Sequence, residues 1–415
     1  MRLIESGSRI SALMNNTQLP KPPADATRAI TNGRTSADHH GAVNTPVYHA
    51  STILHPDVES FETRHDPTSD RRKVIYGLLG TPTSFDLEEV LADLEGGHDA
   101  VLVPSGLAAI SVALLSFLKP GDHALIADTV YPPTRSFCDE HLARMNIAVD
   151  YYDPHLGAGI ETLIQTNTQV IFLESPGSFT FEIQDIPAIT KVARDRGVTT
   201  ILDNTWSTPL FFKSFSHGVD VSVHAATKYL SGHSDVVMGA IICAEHAWSP
   251  VRRTHRHLGQ CVGPDDAYVT LRSIRNLSTR LNAHHKQGLA LANWLNEREE
   301  VAEVLHPGLP GHPDHAVWKR DFLGASGLFS IVLHPKSREA VLDMVNGMEL
   351  FRIGASWGGF ESLMIPVYPE QYRSATHWDP SKFTLRIHAG LEDFDDLIAD
   401  LKAGFERLKR SSKSD

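Results

Sequence analysis

The sequence predicts an α/β fold: a mostly parallel sheet in a large domain, followed by a smaller α+β C-terminal domain. Three observations carry this. Short apolar strands alternate with helical patterns over roughly 100–245, which places helices on the faces of a parallel sheet. After Gly308-Leu309-Pro310-Gly311 a second pattern of strands and helices begins. The chain has 415 residues, 41% of them hydrophobic, which is ample for a large core and too long for one small domain.

The elements follow in order. Residues 1–70 are rich in Pro, Asn, Thr, Ser and His and cannot build a core of their own. They are expected to form an extended N-terminal arm lying on another surface. Residues 71–265 are assigned to the large domain and 266–415 to the small one. A helix is predicted over 84–94, with Leu87, Val90, Leu91 and Leu94 on one face and Glu88, Glu89 and Asp93 outward. A buried strand over 100–103 runs through Pro104-Ser105-Gly106 into an Ala/Leu-rich helix over 107–117. Strands are predicted at 123–127, 148–152, 170–173 and 199–203, with helices at 136–145 and 186–196. Residues 266–300 predict one or two long helices. Beyond them come a strand at 329–333, a helix at 338–344, a strand at 382–387 and an amphipathic final helix at 393–408.

Composition narrows the function classes. The net charge of −12 argues against nucleic acid or an anionic membrane as partner. No apolar run reaches the roughly 18 residues of a membrane span, and the N-terminus lacks a signal-peptide pattern. A cytoplasmic location is expected. Cys138, Cys243 and Cys261 are odd in number and widely spaced, as expected of reduced thiols. Histidine is plentiful, with 23 residues, but His39-His40 and His284-His285 are adjacent pairs that do not share a helix face. No HExxH occurs, so no protein-built metal site is expected.

The residues that could do chemistry fall at strand ends, where ligands sit in open α/β sheets. Lys228 follows a short apolar strand in Val223-His224-Ala225-Ala226-Thr227-Lys228. Burial among apolar residues favours the neutral amine needed for Schiff-base chemistry. Asp203, 25 positions earlier, ends another apolar strand. An acid and a lysine on neighbouring strand ends can hold the ring nitrogen and the aldehyde carbon of pyridoxal phosphate. Taken alone, the same residues fit a surface lysine and an aspartate capping the next segment. Ser105-Gly106-Leu107 stands between a strand and a helix, where free N–H groups attract a phosphate, or it is simply a turn. Tyr131 can stack on a planar cofactor or fill the core. Ser356-Trp357-Gly358-Gly359 can offer N–H donors to a carboxylate or be a tight loop. Arg386 alternates onto the polar side of its strand, suited to a substrate carboxylate or to a salt bridge within the small domain.

In order along the chain, several stretches resemble the Cys/Met metabolism family of pyridoxal-phosphate enzymes, on its β-lyase side. They are Gly41-Ala42-Val43-Asn44-Thr45-Pro46-Val47-Tyr48, Tyr76-Gly77 with Gly80-Thr81-Pro82-Thr83, Pro104-Ser105-Gly106, and Glu174-Ser175-Pro176-Gly177-Ser178. They continue with Asp203-Asn204-Thr205-Trp206, Ala226-Thr227-Lys228-Tyr229-Leu230, Ser356-Trp357-Gly358-Gly359-Phe360-Glu361-Ser362-Leu363 and Gly390-Leu391-Glu392-Asp393. The resemblance implies an aspartate-aminotransferase-like fold, fold type I, assembled as a homotetramer of two tight dimers. It implies that Lys228 is the Schiff-base lysine and acid/base, that Asp203 with Thr205 serves the ring nitrogen, and that Tyr131 stacks on the ring and takes part in catalysis. Gly106, Leu107 and Thr227 would hold the phosphate, and Tyr76 would reach a neighbouring subunit's site. Ser356, Trp357 and Arg386, with Ser178 nearby, would bind the substrate. The implied reaction splits the carbon–sulfur bond of L-cystathionine or a related cysteine S-conjugate to a thiol, pyruvate and ammonia. A γ-lyase or γ-synthase activity, or a non-catalytic protein on the same scaffold, is the alternative.

Two positions depart from the family pattern. Leu78 stands where an arginine usually grips the phosphate from across the dimer, leaving that grip weaker or supplied by Arg71 or Arg72. Ala355 stands where β-lyases tend to carry a tyrosine and γ-acting members a glutamate, so the pocket is expected to be more open. Trp357 favours the β-lyase side, since γ-acting relatives usually have leucine there.

Overall fold

A computed structural model describes residues 22–34, 36–64 and 72–411. Its larger sheet has seven strands: β1 (Asp99–Val103), β2 (His123–Ala127), β3 (Ala148–Tyr152), β4 (Thr168–Glu174), β5 (Thr199–Asp203), β6 (Val221–His224) and β7 (Gly239–Cys243). They lie in the order β1-β7-β6-β5-β4-β2-β3. The run from β6 to β3 is parallel, and β7 is antiparallel to both neighbours. Strands β1, β2 and β7 are buried along their whole length, as expected when helices cover both faces. The parallel direction brings the C-terminal ends of β4, β5 and β6 to one edge, and these ends deliver Glu174, Asp203 and the turn that carries Lys228.

The smaller sheet is antiparallel, in the order β10-β11-β9-β8, from β8 (Val301–Leu305), β9 (Leu328–Leu333), β10 (Leu363–Val367) and β11 (Phe383–His388). Helices Leu277–Asn296, Arg338–Asn346 and Phe394–Ser411 share its core. On the last of these, Asp400 accepts hydrogen bonds from the N–H groups of Glu349, Leu350 and Phe351 at 3.0, 2.8 and 3.1 Å. This pins the chain just before it enters the 352–359 loop. Trp206 Nε1 donates to the Leu328 carbonyl at 2.9 Å and ties the two sheets together.

Most elements stand where the apolar periodicity placed them; the differences are local. Asp25–Thr31 and Val58–Glu62 are helices within the stretch expected to be an extended arm. The first packs its Ala29 into the core beside helix Pro82–Glu95, with Arg28 Nε bonded to Asp93 at 2.9 Å. The remainder of that stretch, residues 1–21, 35 and 65–70, lies outside the described residues, as does Arg71. The helix expected over 136–145 begins earlier, at Pro132, and widens to a π turn over Cys138–Leu142. Among the described residues no helix is long and apolar enough to cross a membrane.

Candidate active site

A cavity of about 430 Å³ opens at the C-terminal edge of β4, β5 and β6, and the small domain closes its far side. It gathers Gly106, Leu107, Tyr131, Ser178, Asp203, Thr205, Thr227, Lys228, Trp357 and Arg386 from segments far apart in sequence. Ser356 joins them through its bond to Lys228. Tyr76 is 46% exposed and stands outside the cavity walls of this chain.

Lys228 lies in the turn after β6. Its Nζ donates to Ser356 Oγ at 2.6 Å and stands 5.3 Å from the centre of the Trp357 ring. Burial, helped by the positive Arg386, pulls its pKa down to about 8. The amine is therefore neutral in a useful fraction near neutral pH. Arg386 is held on β11 by the Ser356 carbonyl, to which its Nη2 donates at 3.1 Å; burial lowers its pKa to about 10. It remains a cation.

Asp203 ends β5. Its Oδ1 accepts from the Thr205 N–H at 3.0 Å and from Thr205 Oγ1 at 2.5 Å. Burial raises its pKa, while the Thr205 bonds oppose the rise. Thr205 Oγ1 also accepts from the Ala225 N–H at 2.8 Å, which locks the Asp203 turn to the segment leading into Lys228.

Glu174 ends β4, directly in register with Asp203, and no role was assigned to it from sequence. Its Oε2 accepts from the Tyr131 N–H at 2.7 Å and its Oε1 is 2.7 Å from Ser178 Oγ. Burial, with the Asp203 carboxylate beside it, holds its pKa well above the carboxylate range. Burial therefore favours the neutral form of Glu174. The signal that found Asp203, an acid closing an apolar strand, was equally present at Glu174. Burial and these two carboxyls also raise the Tyr131 phenol, which stays protonated.

Helix Gly106–Phe117 starts at the cavity, with Ser105 Oγ accepting from the Ala108 N–H at 3.0 Å. The first N–H groups of a helix have no partner within it. A β-carbon on Gly106 would lie 2.5 Å from that of Ala225, so only glycine lets this helix start approach the Lys228 turn. The Thr227 hydroxyl is engaged with Met238, accepting from its N–H at 3.0 Å. Arg72, one of the residues expected to compensate for Leu78, is paired with Glu89.

His388, also unassigned from sequence, lies two residues beyond Arg386 on the same face of β11. Its Nε2 accepts from the Gly358 N–H at 3.1 Å, so the proton sits on Nδ1, which donates to the Glu361 carbonyl at 3.0 Å. This neutral ring fixes the loop that carries Ser356 and Trp357. Burial, then the nearby His284, keeps its pKa well below the ordinary histidine value.

A buried amine of lowered basicity facing a buried acid, beside a glycine-opened helix start, suits pyridoxal phosphate: a carbonyl carbon, a ring nitrogen and a phosphate each meet a matching group. Such a site on an α/β scaffold defines a pyridoxal-phosphate enzyme. The family model described as Cys/Met metabolism PLP-dependent enzyme matches residues 26–406, and the chain belongs to that family. It is similar to the cystathionine beta-lyase of Escherichia coli strain K12, with 42% identity over 390 residues, 92% of this chain and 98% of that one. It is equally similar to an L-alanine/L-glutamate racemase of Wolbachia pipientis wMel, with 42% identity over 386 residues, 91% and 95% of the two chains. Among solved structures, metB from Corynebacterium glutamicum superposes with a TM-score of 0.85 at 28% identity, over 93% of this chain and 98% of that one. The fold is that of fold type I pyridoxal-phosphate enzymes.

Proposed function

We propose that the protein is a carbon–sulfur β-lyase that converts L-cystathionine or a related S-substituted cysteine, with water, to a thiol, pyruvate and ammonia. The observation that carries this reading is the 2.6 Å bond from Lys228 to Ser356, which sets a weakly basic amine beside the Arg386 cation. The name of the Escherichia coli relative supports it.

Arg386 binds the substrate α-carboxylate in a two-pronged grip, with Ser356 and Ser178 at its edge. This orients the α-hydrogen toward Lys228 Nζ. Neutral Lys228 takes that proton. Pyridoxal phosphate, when bound, takes up the electron pair left at the α-carbon, which allows the β-carbon to release sulfur. Asp203 would stand opposite the ring nitrogen of the bound group, with Glu174 in register beside it. Gly106, Leu107 and Thr227 line the end of the cavity where a phosphate would rest. Tyr131 would cover the ring of the bound group, and its protonated hydroxyl would donate to the departing sulfur. Trp357 forms the wall beside Lys228.

The apolar side chains of Val43, Leu54, Val58 and Phe61 are exposed within the N-terminal arm, and Tyr76 and Leu78 are exposed shortly after it. A surface of this kind calls for a partner. It supports assembly into a homotetramer of two dimers, with Tyr76 reaching the neighbouring site. A cytoplasmic location fits the reaction and the free thiols Cys138, Cys243 and Cys261. The test is the oxoacid formed from L-cystathionine: pyruvate with homocysteine supports the reading. Formation of 2-oxobutyrate with cysteine would assign a γ-lyase, and racemisation of L-alanine without thiol release would assign a racemase.

A further inference from the structure

We infer that Glu95 is a positioning residue for Asp203: with His224 it forms a buried carboxylate–imidazolium pair behind the Asp203 turn, fixing that turn and favouring its negative charge. This rests on the reading of Asp203 as the partner of the ring nitrogen. Glu95 is the last residue of helix Pro82–Glu95 and stands outside the cavity wall. Its Oε1 accepts from Asn204 Nδ2 at 2.9 Å, from Ser222 Oγ at 2.8 Å and from Ser214 Oγ. Its Oε2 accepts from His224 Nε2 at 3.2 Å. All five residues are at most 1% exposed, so the cluster is complete within one chain.

The cluster underlies both strand ends that supply Asp203 and Lys228. Asn204 follows Asp203, and its N–H donates to the Val223 carbonyl at 3.0 Å. Asp203 and Val223 are in register, and His224 is the next residue, ending β6 four positions before Lys228. Glu95 therefore grips the Asp203 turn through Asn204, and the strand leading to Lys228 through Ser222 and His224. Burial works against an ionised Glu95, but His224 and the hydroxyl donors outweigh it and hold the carboxyl below its ordinary pKa. A buried carboxylate keeps its charge only beside a cation. His224 is the one basic side chain bonded to it among the described residues. The Nδ1 of His224 has no hydrogen-bond partner there, so the ring acts on Asp203 through space. Burial raises the Asp203 pKa; the Thr205 bonds, and then His224, oppose the rise.

The deciding variant is Glu95→Gln, whose amide keeps the shape and the hydrogen bonds but removes the charge. Pyridoxal phosphate is titrated into cofactor-free protein, and kcat and KM are measured on the loaded enzyme with L-cystathionine. The inference predicts cofactor binding weakened about 5-fold or more and kcat lowered about 10-fold or more, with KM within about threefold. In an Asp203→Asn background the same substitution should change cofactor binding and kcat less than about twofold, because Glu95 acts through Asp203. No loss in the wild-type background, or an equal loss in both backgrounds, overturns it. The binding arm needs no turnover, so it decides the matter whatever the substrate is. Should Glu95→Gln alone fail to fold, Glu95→Gln combined with His224→Gln, a neutral bonded pair, carries the same prediction. The underlying reading fails separately, when Asp203→Asn alone leaves cofactor binding and kcat unchanged, and the inference falls with it.

Discussion

Lys228 Nζ and Ser356 Oγ lie 2.6 Å apart although 128 residues separate them in sequence, and their bond joins the turn after β6 of the larger sheet to the loop that precedes β10 of the smaller one. The loop itself is fixed from behind, by His388 at Gly358 and by Glu392, whose Oε1 and Oε2 accept from the N–H and hydroxyl of Ser362 at 2.7 and 2.8 Å. Each contact leads to a measurable consequence.

The lowered basicity of Lys228 gives a pH prediction. In cofactor-free protein, its reactivity toward an amine-specific reagent should rise through an apparent pKa of about 8. Arg386 contributes to the lowering by like-charge repulsion, so Arg386→Leu should move the midpoint upward, toward the ordinary lysine value. A midpoint that stays in place or falls would contradict the assigned cause. The same variant should reduce kcat/KM by about 30-fold or more, mostly through KM.

Asp203 and Glu174 should separate in function despite their common register. Asp203→Asn removes the carboxylate proposed to face the ring nitrogen and should lower kcat by roughly 100-fold or more. Burial favours the neutral form of Glu174, so Glu174→Gln, which keeps a neutral bonded group there, should stay within about threefold of wild type. Glu174→Leu, which abandons Tyr131 and Ser178, should lose ~10-fold or more. If Glu174→Gln falls as far as Asp203→Asn, Glu174 acts as an ion and not in its neutral form.

His388 is a positioning residue, and its burial gives a stability signature. A histidine whose folded pKa is depressed takes up its proton mainly on unfolding, so its stability contribution is full above about 6.5 and declines as pH falls below that value. Each such group contributes a slope of up to about 1.4 kcal/mol per pH unit. His284, lowered by burial to about 4, acts in the same direction. Denaturant unfolding at pH 6.5 and pH 5 should show a smaller pH-dependent loss in His388→Leu than in wild type, alongside a lower stability at both. His388→Gln, which can still accept from Gly358 and donate to Glu361, should recover part of KM. An unchanged pH slope in His388→Leu would contradict the depressed pKa.

Much of this architecture was legible in the sequence. Three strands, His123–Ala127, Ala148–Tyr152 and Thr199–Asp203, begin and end where their apolar runs do, because turn-forming or charged residues bracket each run. Strands β8 and β10 were not legible. Both are edge strands of the small sheet, and β10 contains Pro366, which a central strand could not accommodate. Helix Glu245–His257 was hidden by Pro250 inside it. The cavity residues were found one at a time as strand-end groups, but periodicity does not pair β4 with β5, so Glu174 went unassigned until register set it beside Asp203. His388 was masked in a different way: its partners, Gly358 and Glu361, offer only backbone atoms, which leave no trace in residue identity. The role proposed for Tyr76 needs a neighbouring subunit, since Tyr76 lies outside this chain's cavity.

The covalent assignment can be read by mass. Borohydride reduction of the loaded enzyme followed by digestion should leave the reduced cofactor on the peptide containing Lys228 and on no other. Labelling at Lys213 or Lys382 in its place would contradict the site.

The most direct test of the central claim, that Lys228 is the base for carbon–sulfur cleavage in this cavity, is thiol release by loaded Lys228→Ala with and without added ethylamine. The account predicts a loss of more than about 1000-fold, with substrate still bound and a dose-dependent partial recovery as the free amine takes the place of Nζ. Thiol release by the variant at more than about a tenth of the wild-type rate, without added amine, would contradict it.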